Sequence, residues 1–151
     1  MEPLKYVYDD GGRSKYFKAS NVEDCVVRAI AIASGRDYKE IYNSLKKAIG
    51  YSPRGGVWTS RASFKRWMKE NGFRWVSCSG IGSHQAVHFV EGELPSFISG
   101  ESNVPARLVC SCHRHNVAVI NNEVHDTWDS RFNSWGELRR IYGYWIYEIA
   151  K

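Results

Sequence analysis

Three side chains of this sequence have the types that nucleophilic acyl chemistry uses: Cys25, His115 and Asp126. A thiol attacks a carbonyl carbon as its thiolate, and a histidine that is held by a carboxylate can take the proton. We therefore interpret Cys25 as a candidate nucleophile, His115 as its base and Asp126 as the group that orients His115.

The segment that carries His115 and Asp126 has the pattern of a β-hairpin. Asn121-Asn122 lies between two alternating apolar runs, and asparagine tolerates the positive φ of a two-residue type I′ turn. Counting outward from this turn places His115 and Asp126 on one face, whereas Asp129 falls on the other. Trp128 shares the face of His115, so we expect it to shield the His115–Asp126 hydrogen bond from water.

Cys25 lies at or just inside the start of a predicted helix. Ser20 or Asn21 can cap this helix, Glu23 follows Ser20 at capping-box spacing, and Gly35 ends it. The unpaired N–H groups and the dipole at a helix start favour a thiolate. Asn21, or a backbone N–H at the helix start, is the candidate donor to an oxyanion.

The remaining pattern predicts an α+β fold with N-terminal helices packed on an antiparallel β-sheet. A second helix runs from Asp37 to Gly50, and Thr59 caps a third. Residues 1–20 are predicted to form an irregular arm. The loop 55–58, Gly-Gly-Val-Trp, is a candidate wall of a cleft because glycine allows close approach of a substrate backbone. The later strands are predicted at 73–78, 86–90, 107–112, 117–120, 123–128 and 141–149.

The composition fits one folded domain over residues 1–151. Hydrophobic residues make up 43% of the chain, and a domain of this size buries roughly 70% of its unfolded surface. The formal net charge is +5, but the basic residues are scattered and form no compact stripe. We expect a monomer with a mildly basic surface, and a nucleic-acid partner is not favoured.

Neither a membrane span nor a secretion signal is predicted. No apolar run is long enough to cross a bilayer, and residues 1–18 are polar and charged. The four cysteines are too few and too unevenly spaced for a disulfide framework, so we interpret them as thiols. These features predict a cytoplasmic protein without a membrane partner.

Two short motifs carry a resemblance to a known family. The run His115-Asn116-Val117-Ala118-Val119, with its hairpin and Asp126-Thr127-Trp128, resembles the papain-like cysteine peptidases. In that superfamily a catalytic histidine opens one strand, and an Asn-Ser-Trp run closes the next; in several branches an Asp replaces the Asn. The run Asp24-Cys25-Val26-Val27-Arg28-Ala29 would begin the family's central helix. The chain also resembles small uncharacterised bacterial and phage proteins with a similar Asp-Cys-Val-Val-Arg helix.

This resemblance implies a compact papain-like domain that acts on a protein or peptide substrate without a cofactor. If the chain is of phage origin, the protein would act in a bacterial host cell. The Cys-Gly-x-Cys-Trp signature of papain is absent. His115 follows Cys25 by about 90 positions rather than about 130 or more. Ala19 stands where the family has its oxyanion-hole glutamine, so Asn21 or the backbone must supply that donor.

The sequence therefore predicts a hydrolase of a peptide, isopeptide or other amide bond that uses Cys25, His115 and Asp126. Two alternatives remain open. A thiol acyltransferase or deamidase would use the same residues. A catalytically silent protein on the same fold would bind nucleic acid or a host protein, and would retard nucleic acid at low salt whatever residue occupies position 25.

A competing zinc site is not favoured. Residues 110–115, Cys-Ser-Cys-His-Arg-His, offer thiol and imidazole ligands, with His125 nearby in sequence. On a strand Cys110 and Cys112 share one face and His113 takes the other, which is poor geometry for one tetrahedral ion. We predict no metal.

The last segment is interpreted as a closing strand with Ile141 and Trp145 on one side.

Overall fold

The computed structural model describes residues 2–18, 22–78, 87–98 and 101–148, and within these ranges the fold is mixed α+β. Three α-helices precede most of the strands, as the sequence predicts. No helix in the described ranges is long and apolar enough to cross a membrane. The helices are α1 (Cys25–Ser34), α2 (Tyr38–Ile49) and α3 (Ala62–Glu70), and a short 3-10 turn covers Arg13–Lys15.

A mostly antiparallel sheet forms the second layer. Its order in the described part of the chain is β1-β8-β7-β6-β9-β2, with β3 also paired to β9, while β4 and β5 form a separate pair. Only the β1–β8 pairing is parallel among these ladders. The strands are β1 (Lys5–Tyr8), β2 (Phe73–Ser77), β3 (Val87–His88), β4 (Phe97–Ile98), β5 (Glu101–Pro105), β6 (Arg107–Cys112), β7 (His115–Ile120), β8 (Glu123–Asp126) and β9 (Arg140–Tyr147).

The boundaries of α2 follow the sequence signals, whereas the start of α3 does not. Asp37 is the N-cap of α2 and its carboxylate accepts from the Glu40 N–H, and Gly50 ends the helix with a positive φ. The expected cap of α3 at Thr59 is wrong, because α3 begins after Arg61 and has no side-chain cap.

The start of α1 also differs from the prediction. Its N-cap is Asp24, which makes no capping bond with its side chain. Ser20 and Asn21, the predicted caps, lie outside the described residues. Gly35 ends α1 in the left-handed conformation as expected. Cys25 is consequently the first residue of α1, in agreement with its predicted place at the helix start.

The hairpin of β7 and β8 has the predicted turn and register. Asn121 and Asn122 have φ values of 46° and 65°, as a type I′ turn requires. Val119 pairs with Val124 and Ala118 pairs with His125. This register brings the start of β7 beside the end of β8, where two candidate site residues lie.

The N-terminal segment is a structural part of the sheet, not an irregular arm throughout. β1 is an edge strand of the sheet and pairs with β8, with Tyr8 opposite Asp126. Leu4 is fully buried, and its N–H donates to the Phe89 carbonyl. The alternation of residues 5–8 is thus that of a strand, and its partner, distant in sequence, could not be identified from local pattern.

The central strands are buried on both faces. Val109 and Ala118 belong to the core beneath the helices, whereas Leu108 and Val119 belong to the core on the opposite face. The prediction that Ile141 and Trp145 share one side is wrong, since they lie in different cores. The β6–β9 register shifts between them, and such a bulge reverses the alternation of side chains.

Candidate functional site

A cleft of about 690 Å³ lies where the start of α1 meets the start of β7 and the segment after β8. Cys25, His115 and Trp128 line it, and so does the loop 55–58 that the sequence suggested as a cleft wall. The structure therefore gathers residues from four separate parts of the chain around one concave surface. A concave surface with convergent polar groups is the usual setting of a small catalytic or binding site.

The position of Cys25 is fixed by the segment before it. The Glu23 N–H donates to the Arg54 carbonyl at 3.0 Å, and Glu23 forms a parallel bridge with Gly55. This contact attaches the entrance of α1 to the glycine loop of the cleft. Cys25 is partly buried, and the first amides of its helix have no carbonyl partner within the helix. A thiol at this position experiences the positive end of the helix dipole.

His115 and Asp126 form the contact that the hairpin register predicts. The distance between His115 Nε2 and Asp126 Oδ2 is 2.6 Å, and both residues are buried. The Trp128 ring lies against the imidazole, with ring centroids 4.9 Å apart. Asp129 instead binds Arg131 at the surface. The hydrogen bond through Nε2 leaves Nδ1 as the ring nitrogen available to another group.

Burial and two neighbouring side chains determine the charge state of His115. Burial lowers its pKa, but the hydrogen bond to Asp126 and the interaction with the Cys25 side chain outweigh burial and raise the pKa to about 9. Cys25 and His115 line the same cleft.

Asp126 is held as a carboxylate by donors on several sides. Burial acts to raise its pKa, yet hydrogen bonds from His115 and the Thr127 N–H keep the pKa below its usual value. The Thr127 N–H lies 2.8 Å from Asp126 Oδ1. Arg28 Nη2 lies 3.1 Å from the same oxygen. The orientation of this carboxylate is therefore fixed by groups on both of its oxygens.

Arg28 joins the site to a second buried carboxylate. Its Nη1 donates to Asp24 Oδ1, one turn earlier on α1. Arg13 Nη1 contacts the same oxygen at 3.1 Å, and Tyr38 Oη donates to Asp24 Oδ2 at 2.7 Å. The Asp24 side chain is completely buried. A continuous series of hydrogen bonds thus runs from Arg13 through Asp24, Arg28 and Asp126 to His115.

Sequence reasoning missed Arg28 as a residue of the site. The spacing of Asp24 and Arg28, four apart on a helix, is a signal for an ion pair and was available. The contact of Arg28 with Asp126 joins residues 98 positions apart, and no local pattern predicts it. An arginine on a helix that the apolar pattern predicts to be largely buried needs a charged partner, and this signal could have identified Arg28 as a site residue.

The other candidate residues have different outcomes. Asn21, the expected oxyanion donor, lies outside the described residues. Among the described residues no group of three Cys, His, Asp or Glu side chains is arranged to hold a metal ion. His125 instead binds Asp9, with Nδ1 3.1 Å from Oδ2. Cys110 is fully buried in the core on the far side of the sheet.

Comparison with known proteins assigns the chain to no family. Family models, curated proteins and solved structures contain no match to the chain. The assignment of function therefore depends on the cleft and on the resemblance of the motifs.

The charged His115–Asp126 pair should make folding stability depend on pH in a defined direction. The folded-state pKa of His115, about 9, exceeds its ordinary value of 6.5, so protonation of this ring stabilises the folded protein. That contribution is fully present below about pH 6.5 and is lost as the pH rises through about 9. Urea unfolding at about pH 6 and about pH 10 measures it.

The matched control is His115→Gln, which cannot titrate in this range. We expect the wild-type free energy of unfolding to fall more steeply between the two pH values than that of His115→Gln. Equal falls in both proteins would show that His115 carries no pH-dependent stabilisation.

Proposed function

We propose that the protein is a cysteine-dependent hydrolase of a peptide, isopeptide or other amide bond, on a compact papain-like variant of the α+β fold. The observation that carries the proposal is the buried His115–Asp126 hydrogen bond, beside a cleft that both His115 and Cys25, the first residue of α1, line. Thiol, imidazole and carboxylate then stand in the order that a nucleophile, its base and an orienting group require.

The proposed reaction begins with attack on the substrate carbonyl. The Cys25 sulfur, as thiolate, forms a bond to the carbonyl carbon, and the carbonyl π electrons move to the oxygen. The backbone N–H of Cys25 is the proposed donor to this oxyanion, because it has no partner within α1. When the tetrahedral intermediate collapses, the C–N bond breaks and His115 gives its proton to the leaving amine.

A thioester on Cys25 remains after the amine departs. Water attacks the thioester carbonyl while neutral His115 accepts a proton from that water. The carboxylic acid leaves, the C–S bond breaks, and the thiolate–imidazolium pair is restored. Asp126 keeps its charge throughout and orients the ring through Nε2, so that Nδ1 faces the thiol. An acceptor amine in place of water would turn the same steps into acyl transfer.

Brief treatment with iodoacetamide near neutral pH tests the nucleophile. Burial raises the pKa of Cys78, places that of Cys110 well above normal and raises that of Cys112 to about 12. Cys25 instead interacts with a protonated imidazole. We therefore expect Cys25 to be alkylated at least about tenfold faster than the other three thiols, because only the thiolate reacts. Mass spectrometry of the peptides measures the rate at each site.

The control variant is Cys78→Ser, which should leave the labelling of Cys25 unchanged. A parallel assay follows hydrolysis of a fluorogenic peptide amide by wild type and by Cys25→Ala. Equal alkylation of the four thiols, or full hydrolytic activity in Cys25→Ala, would refute the assignment of Cys25 as the nucleophile.

A further inference from the structure

Two large aromatic side chains stand exposed in the cleft around Cys25. Trp58, from the glycine loop, is 62% exposed, and Trp128, after β8, is 42% exposed. Both line the same cavity as the thiol. Trp75 and Trp135 are also exposed but do not line this cavity, so what distinguishes Trp58 and Trp128 is their place on a concave surface, which indicates a surface for a partner.

Each of these two tryptophans carries an arginine on its ring. The guanidinium carbon of Arg61 lies 4.3 Å from the Trp58 ring centroid, and that of Arg139 lies 5.3 Å from the Trp128 centroid. Stacking holds a guanidinium in place while its N–H groups remain available to a planar acceptor. Neither Arg61 nor Arg139 lines the cleft itself, but each guanidinium lies on a ring that does.

A third cation lies next to the imidazole. Arg114 is exposed, lines the cleft and directly precedes His115. Neither it nor Arg61 nor Arg139 forms an ion pair with a carboxylate in the described parts of the chain.

Few carboxylates offset the arginines at this surface. Arg13 and Arg28, which also line the cleft, are already neutralised by Asp24 and Asp126. Glu23 is the single carboxylate among the described residues that line the cavity. Arg114 in the cleft, with Arg61 and Arg139 beside its two indoles, therefore gives this surface an excess of positive charge, which attracts a negatively charged partner.

We infer that the cleft binds an acidic peptide segment, whose carboxylates pair with Arg61, Arg114 and Arg139 while its apolar parts lie on Trp58 and Trp128. This inference rests on the proposed function, since it names the substrate class of the same site. A peptide is favoured over a nucleic acid because the proposed chemistry of Cys25 requires a carbonyl carbon bonded to an amine leaving group.

Matched peptides test the inference. Three peptides of equal length carry Glu, Gln or Lys on both sides of a central apolar residue, each made with a non-reactive amide end and with a thiol-reactive ketone end. We expect the Glu peptide to bind at least about tenfold more tightly than the Lys peptide at low salt, and the difference to shrink as salt rises. Fluorescence anisotropy measures binding, and mass spectrometry measures modification of Cys25 by the ketone.

Charge reversal locates the effect. Arg114→Glu and Arg61→Glu should each reduce or reverse the preference for Glu over Lys. Arg66→Glu is the matched control, because Arg66 is an exposed arginine of α3 that neither lines the cleft nor lies over Trp58 or Trp128, and its reversal changes the net charge equally. Arg66→Glu should leave the preference unchanged.

Three results would overturn the inference. The Glu peptide binds no better than the Lys peptide, Arg66→Glu alters the preference as much as Arg114→Glu, or a single-stranded oligonucleotide occupies the cleft and the Glu peptide does not. Iodoacetamide labelling, which needs no peptide recognition, separates this failure from failure of the proposed function. Selective labelling of Cys25 without a charge preference rejects only the acidic substrate, whereas a charge preference without selective labelling retains the binding site and rejects the hydrolase.

Discussion

Replacement of His115 by alanine is expected to lower the rate of peptide-amide hydrolysis by about 10²- to 10⁴-fold, the usual contribution of a positioned acid–base group. The variant lacks both roles proposed for the ring: stabilising the thiolate and protonating the leaving amine. Alkylation of Cys25 by iodoacetamide should also slow, because the imidazolium that interacts with the thiol is gone. Both rates can be followed on the same purified protein.

Asp126→Ala should give a loss of the same kind, since His115 then lacks the acceptor at Nε2. Asp129→Ala is the matched control: this aspartate lies three positions on and binds only Arg131 among its described side-chain partners. It should retain hydrolysis within about twofold. Equal losses in the two aspartate variants would contradict the assignment of Asp126 as the orienting group.

Arg28→Met is expected to destabilise the folded protein by about 3–5 kcal/mol, because removal of one partner from a buried ion pair leaves the other charge buried alone. The Arg28 side chain is 7% exposed and contacts both Asp24 and Asp126. Arg74→Met is the control, since Arg74 pairs with Glu148 at the surface and such pairs contribute little. Urea unfolding compares the two variants.

The role of Arg28 in the site is separable from its role in stability. Arg28→Lys keeps a charge but has only one nitrogen, so it cannot contact both carboxylates as Arg28 does. We expect Arg28→Lys to be more stable than Arg28→Met. Where the variant is folded, we expect Cys25 alkylation to be slower than in wild type, because the contact that helps to orient Asp126 is weakened. If Arg28→Lys matches wild type in both measurements, the two-sided contact has no functional importance.

Features that depend on short segments were predictable from the sequence. The type I′ turn at Asn121-Asn122 needs only two residues that tolerate positive φ, and the register that brings His115 to Asp126 follows by counting from it. Asp37 and Gly50 bound α2 for equally local reasons. The contact on which the proposed function depends was therefore derivable without a structure.

Features that join distant segments were not predictable in this way. The pairing of β1 with β8 and the contact of Arg28 with Asp126 depend on tertiary packing. The bulge in β9 reverses the faces of Ile141 and Trp145 although the sequence alternates without interruption. In each case the local sequence pattern is compatible with several arrangements. The arrangement that forms depends on which residues elsewhere in the chain become buried.

The pairing of β1 with β8 has a consequence for how the site forms. Tyr6 Oη and the Asp9 N–H both donate to the backbone carbonyl of Asp126, which is 120 positions from Tyr6. The ribosome therefore completes the thiol-bearing helix long before the hairpin that supplies the imidazole and carboxylate. Contacts of such high sequence separation pay the cost of loop closure before they are stabilised, which slows folding. A nascent chain carries Cys25 without His115 and Asp126 until the hairpin has emerged, so the three side chains can come together only after Asp126 has been synthesised.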